Sequence, residues 1–168
     1  MAAPTIDMVA PRPAAPAEGF RSFVNGAWVK GPGGTVKNTS PADPSDVLGV
    51  THLADAELTR AAIAAAKAAL PAWRALPAPQ RAGYLWKLHA LMIARKEELA
   101  AILTLEEGKT FSESLGEVQK SINLLEFMAG EGRRIAGDTL PSEMAATFCY
   151  TVRQPLGVVG LITPWNFP

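Results

Sequence analysis

Residues 155–168 read "PLGVVGLITPWNFP", and this stretch decides the fold. The run "GVVGLI" at 157–162 is continuously apolar. A strand buried on both faces of a parallel sheet has that composition. Behind it, Trp165, Asn166 and Phe167 stand between Pro164 and Pro168. Open α/β sheets place ligands at the carboxyl ends of their strands. The prolines restrict their own backbone and that of the residues before them. Asn166 is then a neutral N–H donor held at a strand end, suited to a developing oxyanion. A turn asparagine bracketed by prolines is the other reading, and the spacing alone favours it.

Upstream, "TFCYTVRQPLG" at 147–157 alternates as a half-exposed strand does, with Phe148, Tyr150 and Val152 on one face. Before it, Thr110-x-x-Glu113 is a capping box that opens a helix with the stripe Leu115, Val118, Ile122, Leu125 and Ala129. A preceding helix is expected from Pro79 to about Glu106, closed by Gly108, with Leu85, Leu88, Met92, Leu99 and Ile102 on one side. An earlier helix starts at the N-cap candidate Asp55 and carries Leu58, Ala62, Ala65, Ala69 and Trp73, and Pro71 is expected to end or kink it. Asn25-Gly26 between Phe23-Val24 and Trp28-Val29 signals a tight hairpin. A third short strand is expected near Val36, with "SPADPSD" as a connector. The pattern is α/β: β hairpins, three helices and the start of a Rossmann-like parallel sheet. Residues 1–19, rich in Ala and Pro, read as a disordered tail, and their composition is neither that of a signal peptide nor that of a good transit peptide.

Composition narrows the function. Lys plus Arg and Asp plus Glu number 16 each, so no basic face for nucleic acid is expected. No apolar run approaches the length that spans a bilayer. One cysteine allows no internal disulfide and fits a reducing, cytoplasmic compartment. His52 and His89 stand apart with no ligand partners, so no metal site is expected. Three motifs are decoys. "EEGKT" at 106–110 lacks the first glycine of a phosphate loop, since Leu103 holds that place. Cys149 lies mid-strand with no nearby base and reads as a packed, inert thiol. Gly157-x-x-Gly160 lacks the spacing and the following helix of a dinucleotide fingerprint.

"PLGVVGLITPWNFP" closely resembles the signature segment of the aldehyde dehydrogenase superfamily. In the same order, "FVNGAWV" resembles its opening hairpin and residues 74–119, "RALPAPQ…GEVQ", its paired helices with a Glu-x-Gly-Lys turn. "FMAGEGRRIAGDTLPS" and "TFCYTVRQPLG" resemble the next helix and the strand before the signature. The match runs unbroken over residues 20–168, expected to form an incomplete N-terminal, cofactor-binding domain with an oligomerisation-arm strand near 146–154.

The resemblance implies oxidation of an aldehyde to its acid with NAD or NADP. In the family a cysteine thiolate attacks the aldehyde, hydride passes to the nicotinamide, and a glutamate helps water release the acid. Asn166 matches the family's oxyanion-hole asparagine. Ile162, Thr163, Pro164 and Trp165 match the segment lining the nicotinamide ribose, and Phe167 matches a substrate-channel residue. "GEVQK" at 116–120 places Lys120 where relatives acting on acid semialdehydes carry a cation. A carboxylated semialdehyde is therefore the candidate substrate, with a solvated helix lysine as the plainer alternative. A homodimer or homotetramer is implied for the whole enzyme. The matching catalytic cysteine, base glutamate and cofactor turn are expected beyond residue 168, so the chain by itself is expected to be inactive, as the N-terminal part of such an enzyme. A non-catalytic helical assembly module derived from the family is the alternative.

Overall fold

The computed structural model describes residues 12–168. Residues 1–11 of the expected tail lie outside the described residues. The rest of that segment has no helix or strand, and the Arg12 guanidinium forks onto the Asp46 carboxylate at 2.8 and 3.0 Å. Strands β1 (Ser22–Val24) and β2 (Ala27–Val29) pair antiparallel, with Phe23 opposite Trp28. The turn between them carries positive φ at Asn25 (49°) and Gly26 (81°). Both central residues of this turn need that conformation, which asparagine and glycine adopt at least cost.

β3 (Thr35–Thr39) pairs antiparallel with β4 (Val47–His52), with a register shift at Asn38/Thr39. The expectation of a third strand near Val36 holds. Its partner β4 was not anticipated, because "VLGVTH" carries Gly49 in its middle and lies next to the proline-rich connector. The strand survives there because its backbone finds partners on both sides: β3, and Phe20, which bridges to Thr51 in parallel.

Helix α1 (Ala56–Ala75) begins as expected, with the Asp55 carboxylate accepting the Leu58 N–H at 2.8 Å. Pro71 does not end the helix, which runs on to Ala75. Proline removes one donor, the bond to the Lys67 carbonyl, but α1 buries none of its residues, so water can take that carbonyl. The preceding Ala-rich stretch has high helix propensity. Beyond α1, the Arg81 guanidinium donates to the Leu76 carbonyl at 2.5 Å, and Trp73 meets Tyr84 with ring centroids 5.4 Å apart.

The second expected helix is two. α2 (Ala78–Ala94) and α3 (Lys96–Glu107) are separated at Arg95, whose backbone leaves the helical region at φ −113°, ψ 19°. The hydrogen-bond ladder crosses the break, from Arg95 N–H to Leu91 and from Leu99 N–H to the Arg95 carbonyl, both at 3.0 Å. An apolar stripe that continues across Arg95 hides this one-residue departure from helical geometry in the sequence. The correction is four helices in place of three. Gly108, at φ 90°, ends α3, and the Thr110–Glu113 capping box opens α4 (Phe111–Glu131) as anticipated.

The core lies where α4 meets α2 and α3. Ala100, Val118 and Ile122 are buried at its centre, flanked by Met92, Leu99, Leu103, Phe111 and Leu115. Alanines on α2 and α3 let the backbones approach closely. Gly132, at the end of α4, lies so near α2 that an added Cβ would overlap the Ala82 methyl. Thr104 of α3 and Ser114 of α4, both buried, share a hydroxyl–hydroxyl hydrogen bond of 2.9 Å.

β5 (Thr139–Leu140) pairs antiparallel with β6 (Cys149–Tyr150), which realises only two residues of the strand expected in "TFCYTVRQ". The parallel strand expected at 156–162 is not formed. No described strand lies beside that run to take its N–H and C=O groups, so the segment stays irregular with Leu156, Leu161 and Ile162 at 96%, 87% and 100% exposure. Among the described residues the sheets are three two-stranded antiparallel pairs. The architecture remains α/β, a four-helix unit with small sheets. No helix among the described residues is long and apolar enough to cross a membrane.

Candidate functional site

The segment 164–167 forms a turn closed by the Phe167 N–H donating to the Pro164 carbonyl at 3.1 Å. Pro164 is the first residue of the turn and Trp165 and Asn166 are its two corners. Asn166 lies inside it, and its main-chain carbonyl accepts a hydrogen bond from Lys109 Nζ at 3.0 Å. Among the described residues the Asn166 carboxamide itself makes no hydrogen bond, so its N–H donors are available. The Phe167 ring lies under two cations, with Lys109 Nζ 4.9 Å and Lys120 Nζ 5.6 Å from its centroid. Both distances fall within the range of cation–π attraction.

Lys109 is placed by helix termini. Gly108 turns the chain out of α3 in the left-handed conformation, and Thr110 caps α4, so only Lys109 spans the gap. Glu107 is the last residue of α3, and Glu117 lies two turns into α4. Lys109 Nζ hydrogen-bonds the Glu117 carboxylate and stands 2.9 Å from Glu107 Oε2. The contact with Glu107 is an ion pair without hydrogen-bond direction, because that buried Oε2 has no hydrogen-bond partner. The three side chains are only 11–19% exposed. The Glu117 carboxylate first, accepting the ammonium's hydrogen bond, and then the Glu107 carboxylate beside it hold Lys109 above its usual range, so it is charged at neutral pH.

The structure therefore brings together Asn166, Phe167 and Lys120 from the sequence-derived set. Lys120 lies one helical turn beyond Glu117 on α4, and no carboxylate among the described residues pairs with it. Ile162, Thr163, Pro164 and Trp165 line neither of the two best-formed cavities among the described residues. Ile162 is fully exposed and the Trp165 indole is 86% exposed. A cavity of about 520 Å³ lies elsewhere, between the segment 12–15, the β3–β4 pair and α3, and none of residues 162–167 lines it. Cys149 sits part-buried in β6 opposite Leu140. No group of three or more His, Cys, Asp or Glu among the described residues could hold a metal ion.

Sequence reasoning missed Lys109, Glu107 and Glu117. "EEGKT" was dismissed as a phosphate loop and explained by the helix end, which is how Gly108 behaves. A signal was present all the same. A lysine confined between a C′ glycine and a capping box cannot join either helix face, and Glu117 shares a face with Lys120 at i, i+3.

Residues 28–168 match the model of the aldehyde dehydrogenase family. The chain is 45% identical over 150 residues to an alpha-ketoglutaric semialdehyde dehydrogenase of Bacillus subtilis, covering 89% of this chain and 31% of that protein. It is 43% identical over 149 residues to the NADP(+) succinate-semialdehyde dehydrogenase GabD of Escherichia coli, covering 88% and 31%. The crystal structure of an NADP-dependent E. coli enzyme superposes with a TM-score of 0.84 at 43% identity, over 88% of this chain and 31% of that one. The chain thus spans about 31% of the length of the curated relatives it matches. With the family match over residues 28–168 and the shared fold, the chain belongs to the aldehyde dehydrogenase family.

Proposed function

We propose that the chain supplies the oxyanion donor and the substrate anchor of an NAD- or NADP-dependent aldehyde dehydrogenase whose substrate is a carboxylated semialdehyde. The observation that carries this reading is the meeting of Asn166, Phe167 and Lys120 at the mouth of the α3–α4 junction. The semialdehyde names of both reported relatives support the substrate class. When a thiolate adds to an aldehyde, the C–S bond forms as the carbonyl π pair moves onto oxygen. Asn166 Nδ2–H is the donor offered to that oxygen, and Lys120 Nζ faces the substrate's carboxylate. A single such donor supplies about 2.7–4 kcal/mol of transition-state stabilisation. Lysine acts there as a point charge, without the bidentate fork of arginine.

The described residues do not by themselves fit a dinucleotide. Pyrophosphate binding needs backbone N–H groups at a helix N-terminus behind a strand, and among the described residues Gly157-x-x-Gly160 stands before no helix. Residues 162–165 offer one exposed wall, so no step is assigned through the cofactor. The single Cys149 makes none of the contacts around Asn166, and these 168 residues alone are expected to show no aldehyde turnover. The β5–β6 pair, with Phe148, Tyr150 and Val152 exposed, supports a role in an oligomerisation arm of a homodimer or homotetramer. One cysteine fits a cytoplasmic setting.

The test is a chimera in which residues 20–168 replace the matching part of the E. coli relative. Asn166→Ala in that chimera should lower kcat by about 10²–10³, with KM little changed. An unchanged kcat would refute the oxyanion reading. Lys120→Met should raise KM for succinate semialdehyde and leave a neutral aldehyde unaffected, and equal effects on both substrates would remove the anchor.

A further inference from the structure

We infer that Lys109 is a positioning residue that holds the Asn166 turn against the α3–α4 junction. This rests on the reading of Asn166 as the oxyanion donor. The exposed segment 158–168 makes few contacts that could fix it, and the bond from Lys109 Nζ to the Asn166 carbonyl is a charge-assisted one. Three features make Lys109 a rigid post rather than a solvated lysine. Its backbone is fixed between the left-handed Gly108 and the Thr110 cap. Its ammonium is clamped from two sides by Glu107 and Glu117, one on each helix. Its ammonium also lies over the ring of Phe167, the next residue along the turn.

The clamp also assigns different tasks to the two lysines. Lys109 has two carboxylate partners, so its charge is spent inside the protein and it grips the main chain. Lys120, over the same ring and without a carboxylate partner among the described residues, keeps its charge for a ligand. A lysine suits this post, because its ammonium donates to Glu117 and to the Asn166 carbonyl while its charge faces Glu107. By occupying the main-chain carbonyl of Asn166, Lys109 leaves the side-chain carboxamide unengaged.

The dipeptide Asn-Phe occurs once in the sequence, at 166–167. The full 168-residue chain labelled with carbonyl-¹³C asparagine and ¹⁵N phenylalanine therefore gives a single carbonyl–amide cross-peak, reporting the bond in question. Lys109→Met combined with Glu117→Gln, which avoids orphaning the Glu117 carboxylate, should move the Asn166 carbonyl resonance upfield by more than its linewidth. Lys109→Arg should keep it near its original place. An unmoved resonance in the folded double variant overturns the proposal. Should that variant not fold, the unsubstituted chain decides: nuclear Overhauser contacts from the Lys109 ε protons to the Phe167 ring are expected, and their absence overturns it. In the chimera, the double variant should lower kcat up to about 10²-fold, with KM nearly unchanged and recovery by Lys109→Arg. A moved resonance with undiminished kcat shows a merely structural contact and overturns the positioning role. The resonance does not depend on catalysis, whereas an Asn166→Ala chimera of full kcat sinks the oxyanion reading alone, so the two failures are distinguishable.

Discussion

Ile122 is 3% exposed on α4, in the seam where that helix packs against α2 and α3, so trimming it to alanine tests the core directly. The change removes three buried carbons, worth about 0.8 kcal/mol each, or about 2.4 kcal/mol in transfer alone. A cavity term adds to this. Its neighbours Ala100 and Val118 are too short to fill the hole, while Met92 and Leu99, partly exposed, can lean in. A total near 3 kcal/mol follows, inside the range of about 2–5 kcal/mol for such truncations. Urea unfolding of the full chain, followed by helical circular dichroism, reads it. With a slope of about 2 kcal/mol per M, the midpoint should fall by about 1.5 M. Leu124→Ala is the matched control, because Leu124 is 52% exposed on the same helix. It should cost less than about 1 kcal/mol. A loss below about 1 kcal/mol for Ile122→Ala, or equal losses for the two variants, would refute the assignment of the core to this face of α4.

The contact between α4 and α2 gives a second expectation. Gly132→Ala should destabilise the chain by about 1–3 kcal/mol through overlap with Ala82, and Ala82→Gly should recover part of it in a thermal melt. At the capping box, Thr110→Ala should cost about 1 kcal/mol. The Thr110 hydroxyl first, then its backbone N–H, hold the Glu113 carboxyl below its usual range. A depressed folded-state value stabilises the protein above the unfolded carboxyl value and is lost as pH falls through the folded one. Helical signal should thus weaken on acidification below about pH 4.5, and this part of the titration should flatten in Thr110→Ala.

Most helix ends were legible because their causes are local. Asp55, Gly108 and the Thr110–Glu113 box act on backbone groups within four residues, and each does in the structure what its position dictates. The Asn25-Gly26 hairpin is equally local. The buried stripe of α4 was visible in its period, and Val118, Ile122 and Ala129 are its most buried apolar positions. The helix runs on past Pro71, whereas Arg95 separates two helices where one is expected. A proline on an exposed helix can leave its carbonyl to water, while a one-residue break inside an apolar stripe changes no pattern.

The strand expected at 156–162 shows the limit most clearly. Its composition marks it for burial, but a strand exists only when neighbours pair with it, and pairing is not a property of the segment. The sequence by itself determined the caps and the hairpin turn, because those follow from residue type at fixed short spacing, while the family and the candidacy of Asn166 rest on the ordered resemblance over residues 20–168. Only the tertiary structure decided that Lys109 meets Asn166, 57 positions away, between carboxylates from two helices. That meeting depends on the angle at which Gly108 releases the chain and on how closely α3 and α4 pack, which no local pattern encodes.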